Sequence, residues 1–130
     1  MAATTDPSYR WGGDPKGLQV GVRIVPTQVR PGDSIDVRVA VHNGSPDAVT
    51  VESRFALFVQ RGDTLDEHVG GPRSSEPFAV PAGAVLEIVA YQLDGEQLGA
   101  TAGQRALWAV YRPSAGPELR SGHARLEVLP

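Results

Sequence analysis

No cysteine occurs anywhere in the 130 residues, which excludes disulfides, thiolate metal sites and a thiol nucleophile. Positive charge is also scarce. Twelve Lys and Arg stand against fifteen Asp and Glu, a net charge of −3, so no excess is available to neutralise phosphates, and neither nucleic acid nor an anionic membrane is an expected partner. No stretch approaches the ~20 apolar residues of a membrane helix, and membrane insertion is not expected. The opening Met1-Ala-Ala-Thr-Thr-Asp-Pro-Ser lacks the basic start and apolar run of a secretory signal. A chain native from Met1 would therefore be cytoplasmic or virion-associated, and one whose signal had been removed would be extracellular. Helical periodicity and internal repeats are missing as well.

What the chain has instead is alternation. Ile35, Val37, Val39 and Val41 take every second position, with Asp36, Arg38, Ala40 and His42 between them, and Pro31-Gly32 and Asn43-Gly44-Ser45-Pro46 close the two ends. That pattern predicts an antiparallel strand with one face on a core and the other in water. Leu18, Val20, Val22 and Ile24 repeat it. Further strands are expected across Ala48 to Gln60, near Leu65 to Val69, at Ala84 to Leu93, Arg105 to Arg112 and Glu118 to Leu129. Ala84 to Leu93 is apolar on both faces, which reads as a central strand, while the strands near Leu18 and Leu129 read as edges guarded by Arg23, Arg125 and Glu127. Asp94-Gly95 reads as a turn and residues 61–77 as a long loop. Seven to nine short strands with turn signals every ten residues or so predict an all-β fold, an immunoglobulin-like antiparallel β-sandwich over residues 18–130. Residues 1–17, rich in Gly and Pro, predict an irregular N-terminal arm.

The chemistry-bearing residues are dispersed. His42, His68 and His123 show no spacing that would put two rings on one side of an element, as a metal site favours, and His42 reads as a solvent-facing strand residue. Ser121-Gly122-His123 sets a hydroxyl two residues from an imidazole, without a nucleophile elbow. Paired carboxylates such as Asp33 with Asp36 and Asp94 with Glu96 read as turn residues. Gly70-Gly71-Pro72-Arg73-Ser74-Ser75 lacks the lysine of a phosphate-binding loop. Arg61-Gly62-Asp63 matches the tripeptide that integrin ligands display, and equally suits an ordinary turn; Asn43-Gly44-Ser45 fits a glycosylation acceptor pattern. Trp108 and Tyr111 fall on opposite faces of one strand, so at least one should be core. No metal, cofactor or small-molecule substrate is expected, and no catalysis.

Trp11-Gly-Gly, Gly17-Leu18-Gln19-Val20-Gly21, Val29-Arg30-Pro31-Gly32-Asp33-Ser34-Ile35, Val41-His42-Asn43-Gly44-Ser45, Val80-Pro81-Ala82-Gly83 and Ala124-Arg125-Leu126-Glu127-Val128 together resemble bacterial immunoglobulin-like accessory domains. A more remote similarity is to the intracellular proteinase inhibitors of bacilli. The resemblance implies the sandwich. Loops beside a rigid scaffold commonly carry recognition, so the expected function is that of a protein-interaction or assembly module. Its contacts are expected at Tyr9, Arg10 and Trp11 on the arm, and at Arg61, Asp63 and Arg73 on the long loop. A coat or decoration protein of a larger particle such as a phage capsid, and a proteinase inhibitor, are the alternatives.

Overall fold

The computed structural model describes residues 9–69, 77–99 and 101–130. In chain order the elements are β1 (Arg10–Gly13), β2 (Leu18–Val25), β3 (Gln28–Val29), β4 (Ile35–Asn43), β5 (Val49–Val51), β6 (Phe55–Arg61), β7 (Thr64–Val69), β8 (Phe78–Val80), β9 (Val85–Leu93), α1 (Gly95–Leu98), β10 (Gly103–Tyr111), β11 (Leu119–Arg120) and β12 (Ala124–Val128). They form a sandwich. One layer runs β1-β2-β4-β9, the other β3-β12-β10-β6-β7 with β11 on β10, and β5 pairs with β8 in a small two-stranded sheet. All pairings are antiparallel except β12 with β3. The fold is the all-β sandwich expected, with strands more numerous than seven to nine because several pieces are only two to four residues long.

The core follows from the period of two. Val20, Val22, Val37, Val39 and Val41 on one layer and Leu57, Val59, Leu107 and Ala109 on the other are fully buried. Each of these valine and leucine side chains contributes roughly 1.5–3 kcal/mol by leaving water. Tyr111 joins this interior. Its ring stacks on Phe55 at 4.9 Å, and its hydroxyl accepts a hydrogen bond from the Glu52 backbone N–H at 3.0 Å, which satisfies the polar tip of an otherwise apolar body. Trp108 lies on the opposite face of β10 yet is also buried, held between Phe58 at 5.6 Å and His123 at 4.4 Å.

Several placements differ from expectation. Residues 10–13 are a strand paired with β2, Trp11 opposite Gly21, so that part of the arm is ordered sheet and β2 is internal. β12 is likewise internal, between β3 and β10, and β9 is an edge. Its apolar residues on both faces misled because a β-bulge between Val39 and Ala40 shifts its register midway, exchanging which positions face inward. Asp94-Gly95 opens α1, where Asp94 accepts from the Gln97 N–H and the Gln97 side chain accepts from the Asp94 N–H, a complete capping box. No helix among the described residues is long and apolar enough to cross a membrane.

One polar residue organises a whole corner. Asn43, at the end of β4, has no exposed surface; its Nδ2 donates to the carbonyls of Asp47 (2.7 Å) and Val80 (3.0 Å), and its Oδ1 accepts from the Ser45 N–H (3.0 Å) and hydroxyl (2.6 Å). Its own N–H donates to the Ala84 carbonyl, and its carbonyl accepts from Gly83. An amide so enclosed offers no nitrogen to a glycosyltransferase, so Asn43-Gly44-Ser45 is a turn signal.

The connector after β10 is tied down by charge. The Glu52 carboxylate accepts from the Ser114 hydroxyl (2.6 Å) and N–H (2.7 Å), and these two bonds hold its carboxyl below the usual carboxylate range. A depressed carboxyl contributes stability above its unfolded value, and that contribution is lost as pH falls through the folded value. Ser114→Ala is therefore expected to raise the Glu52 titration midpoint, read by carboxyl-carbon NMR, and to start acid unfolding at a higher pH. An unmoved midpoint would show that the hydroxyl does not set it.

Candidate functional site

Of the arm residues expected to meet a partner, two are turned onto their own domain. Tyr9 is 8% exposed, with its ring 5.3 Å from that of Trp11 and the Arg23 guanidinium 5.3 Å from its face. Trp11 lies across Gly21, where an added Cβ would sit 2.7 Å from the indole. Its far edge meets the His42 ring at 6.1 Å. His42 points outward, as its position in β4 requires, but this cover buries it, and its Nδ1 pairs with Gln19 Oε1 at 2.9 Å. The solvent-facing assignment of His42 is thereby corrected. Arg10 alone of the three is exposed, and its carbonyl accepts from the Gly122 N–H at 3.1 Å, so β1 is stitched to the opposite layer.

Arg61 and Asp63 belong to the tight β6–β7 hairpin, whose Gly62 has φ +56 and nothing within 4 Å of its missing side chain. Arg73 lies outside the described residues. Arg61 is not a free loop cation: its Nη2 pairs with Asp66 Oδ2 at 2.8 Å, and it stands directly across from Arg105 on β10. Arg105 is 4% exposed and donates to the carbonyls of Leu98 (2.7 Å), Gln104 (3.2 Å) and Thr101. Burial first, then the neighbouring Arg61 charge, pushes Arg105 down from the usual arginine range. The arm residues and the hairpin residues thus sit on different sheets and form no single site. Arg105 was missed because its neighbour is 44 positions away and only the β6–β10 register reveals the pair.

The titratable residues do not assemble. Among the described residues no group of three His, Asp or Glu is placed to hold a metal ion. Ser121 is buried, its hydroxyl accepting from the Ala109 N–H and donating to the Gly122 carbonyl, while His123 stacks on Trp108. Each residue therefore holds a structural position, Ser121 on the β10 backbone and His123 on the Trp108 ring.

Edges discriminate better. β1 is short and stitched, β3 has two residues, and β7 carries Asp66, Glu67 and His68 in succession, all devices or lengths that discourage strand addition. β9 has nine residues with Glu87 as its one charged side chain and no proline, and among the described residues its ladder partner is β4 alone. Beside it Phe78, Leu86 and Ile88, with Glu87, line an open and mostly apolar groove of about 240 Å³. Val85, at its start, is 39% exposed. Glu87 is committed to Arg38 at 2.7 Å, and Arg38 also binds Asp36.

No protein-family model matches this chain, and no curated protein matches it. Solved structures share its fold. A β-glucosidase from Erythrobacter marinus aligns over 87% of this chain and 15% of its own, at 15% identity and a TM-score of 0.59. The sporulation control protein Spo0M from Bacillus subtilis aligns over 88% of this chain and 50% of its own, at 13% identity and a TM-score of 0.59. The alkylpurine DNA glycosylase AlkC from Pseudomonas fluorescens, bound to DNA, aligns over 85% and 30%, at 15% identity and a TM-score of 0.53. This chain spans half or less of the length of each, and the likeness is one of fold.

Proposed function

We propose that this chain is a non-catalytic protein-interaction module whose contact surface is the outer edge of β9, completed by an extended segment of a partner protein. The observation that carries the reading is the contrast among the four edges of the two main layers: three are short, stitched or charged, and β9 is long and nearly uncharged. An extended backbone is the ligand such an edge selects, because it supplies the missing ladder hydrogen bonds while alternate side chains enter adjacent pockets. The groove of Phe78, Leu86 and Ile88 offers such a pocket to an aliphatic side chain. Assembly through the same edge, with a second copy supplying the strand, is the variant of this reading that a particle component would use.

The test measures amide hydrogen exchange while short peptides of alternating valine and threonine are added. Protection gained at Val85–Ala90 and lost in Ile88→Lys, with the thermal transition of the variant retained, is the expected result. Protection gained without peptide as concentration rises, accompanied by dimers in sedimentation, would identify a second copy as the occupant. Exchange at β9 indifferent to both peptide and concentration would overturn the proposal.

A further inference from the structure

The end of the sandwich below the β6–β7 hairpin contains an electrostatic imbalance that the β9 edge does not explain. Arg61 and Arg105 face each other as cross-strand partners, an arrangement that by itself destabilises a sheet. Both guanidiniums converge on Gly99, where a Cβ would lie 2.7 Å from Arg61 Nη1 and 3.5 Å from Arg105 Nη2. Gly99 has φ +86. A bare, left-handed glycine at that point lets the backbone pass over the two cations without filling the space between them. Asp66 answers Arg61, but among the described residues no carboxylate reaches Arg105, so two buried or half-buried positive charges share one negative charge.

Hydrogen bonding is incomplete in the same place. Arg61 Nε is buried with no partner, and the guanidinium of Arg105 directs three N–H groups to carbonyls out of the five it carries. Carbonyls fix the orientation of Arg105 and leave its charge unneutralised. The two arginines, with Gly62, Thr101, Gly103 and Gln104, line an open cleft of about 510 Å³. That volume accommodates an oxyanion with its hydration, and a pair of guanidinium forks is the donor geometry that recognises one.

We propose that this cleft binds a small oxyanion, a carboxylate or phosphate group, held between Arg61 and Arg105. The anion supplies the missing negative charge and accepts from the guanidinium N–H groups with which Arg61 and Arg105 line the cleft. Asp66 competes with it for Arg61.

The test is titration of the full chain with inorganic phosphate, acetate and chloride at constant ionic strength, followed by amide NMR and calorimetry. One saturable site is expected, with shifts at Gly62, Gly99, Gly103 and Gln104 for an oxyanion and none for chloride. Tighter binding of phosphate would assign the site to phosphoryl groups and tighter binding of acetate to carboxylates. Arg61→Gln is expected to weaken binding about tenfold, and Asp66→Asn, which frees the same guanidinium, to strengthen it severalfold. These two exposed-side variants keep the test sharp even where Arg105→Gln loosens the loop it anchors. Absence of a saturable response, an equal response to chloride, or affinity unchanged in both variants would overturn the proposal. None of these results touches the β9 edge, so the two proposals stand or fall separately.

Discussion

Asn43→Ala is expected to lower the thermal midpoint by about 10 °C, corresponding to roughly 3 kcal/mol for a domain of this size. The side chain does not merely fill space. It satisfies the carbonyls of Val80 and Asp47 on one side and the Ser45 N–H and hydroxyl on the other, joining the end of β4 to the approach to β5 and the end of β8. Removing it leaves buried polar groups without partners, each costing about 1–3 kcal/mol, more than the net worth of the bonds themselves. Asn43→Asp separates geometry from chemistry: it keeps the acceptor but cannot donate to two carbonyls. Denaturation of both variants checks the expectation, and an alanine variant within a degree or two of the parent would show that the corner repacks without its amide.

Gly12→Ala is expected to cost a similar amount, about 3 kcal/mol, by a different route. A Cβ at Gly12 would lie 2.1 Å from the Arg120 carbonyl oxygen, a collision with backbone that no rotamer change relieves. Either β1 or the β11–β12 segment must move. Moving β1 breaks the Gly122-to-Arg10 hydrogen bond and lifts Trp11 from Gly21 and from the rings of Tyr9 and His42. In a Trp108→Phe background, where Trp11 is the one indole, emission should shift to the red, and the amides of β2 should lose exchange protection as that strand becomes an edge. Unchanged emission together with an unchanged midpoint would mean that the seam is not held as described.

Period-two patterning located the interior well. Ile35, Val37, Val39 and Val41 are all at or below 1% exposure, because a strand presents alternate residues to alternate faces whatever its neighbours are. Neighbour relations were less legible. β9 looked central because apolarity on both faces is also what a bulged edge strand shows. Trp11-Gly12-Gly13 looked irregular because glycine signals a loop by default; here Gly12 is required by the close passage of another strand, and that requirement depends on residues more than a hundred positions away. His42 was assigned to the correct face, but what covers that face is an aromatic from β1. Of the arm residues singled out for their chemistry, Tyr9 and Trp11 pack their rings on their own domain, while the Arg10 side chain stays exposed. Arg61 acquires its meaning only beside Arg105, a pairing set by register. The mode of interaction proposed for β9 was invisible for the same reason, since an edge is a property of sheet order.

The enclosed amide of Asn43 also determines how the protein ages. Asn-Gly is the dipeptide most prone to cyclise to a succinimide, by attack of the glycine nitrogen on the side-chain carbonyl, with loss of ammonia. Here the Gly44 nitrogen is bound to the Gly17 carbonyl at 2.8 Å and the leaving amide is held by two acceptors, so the native molecule is shielded from this lesion. Only molecules that open can deamidate. The rate at which isoaspartate accumulates at position 43 on prolonged warming becomes a slow chemical clock for opening events, and each event it records replaces a neutral amide with a carboxylate beside two carbonyls that need a donor.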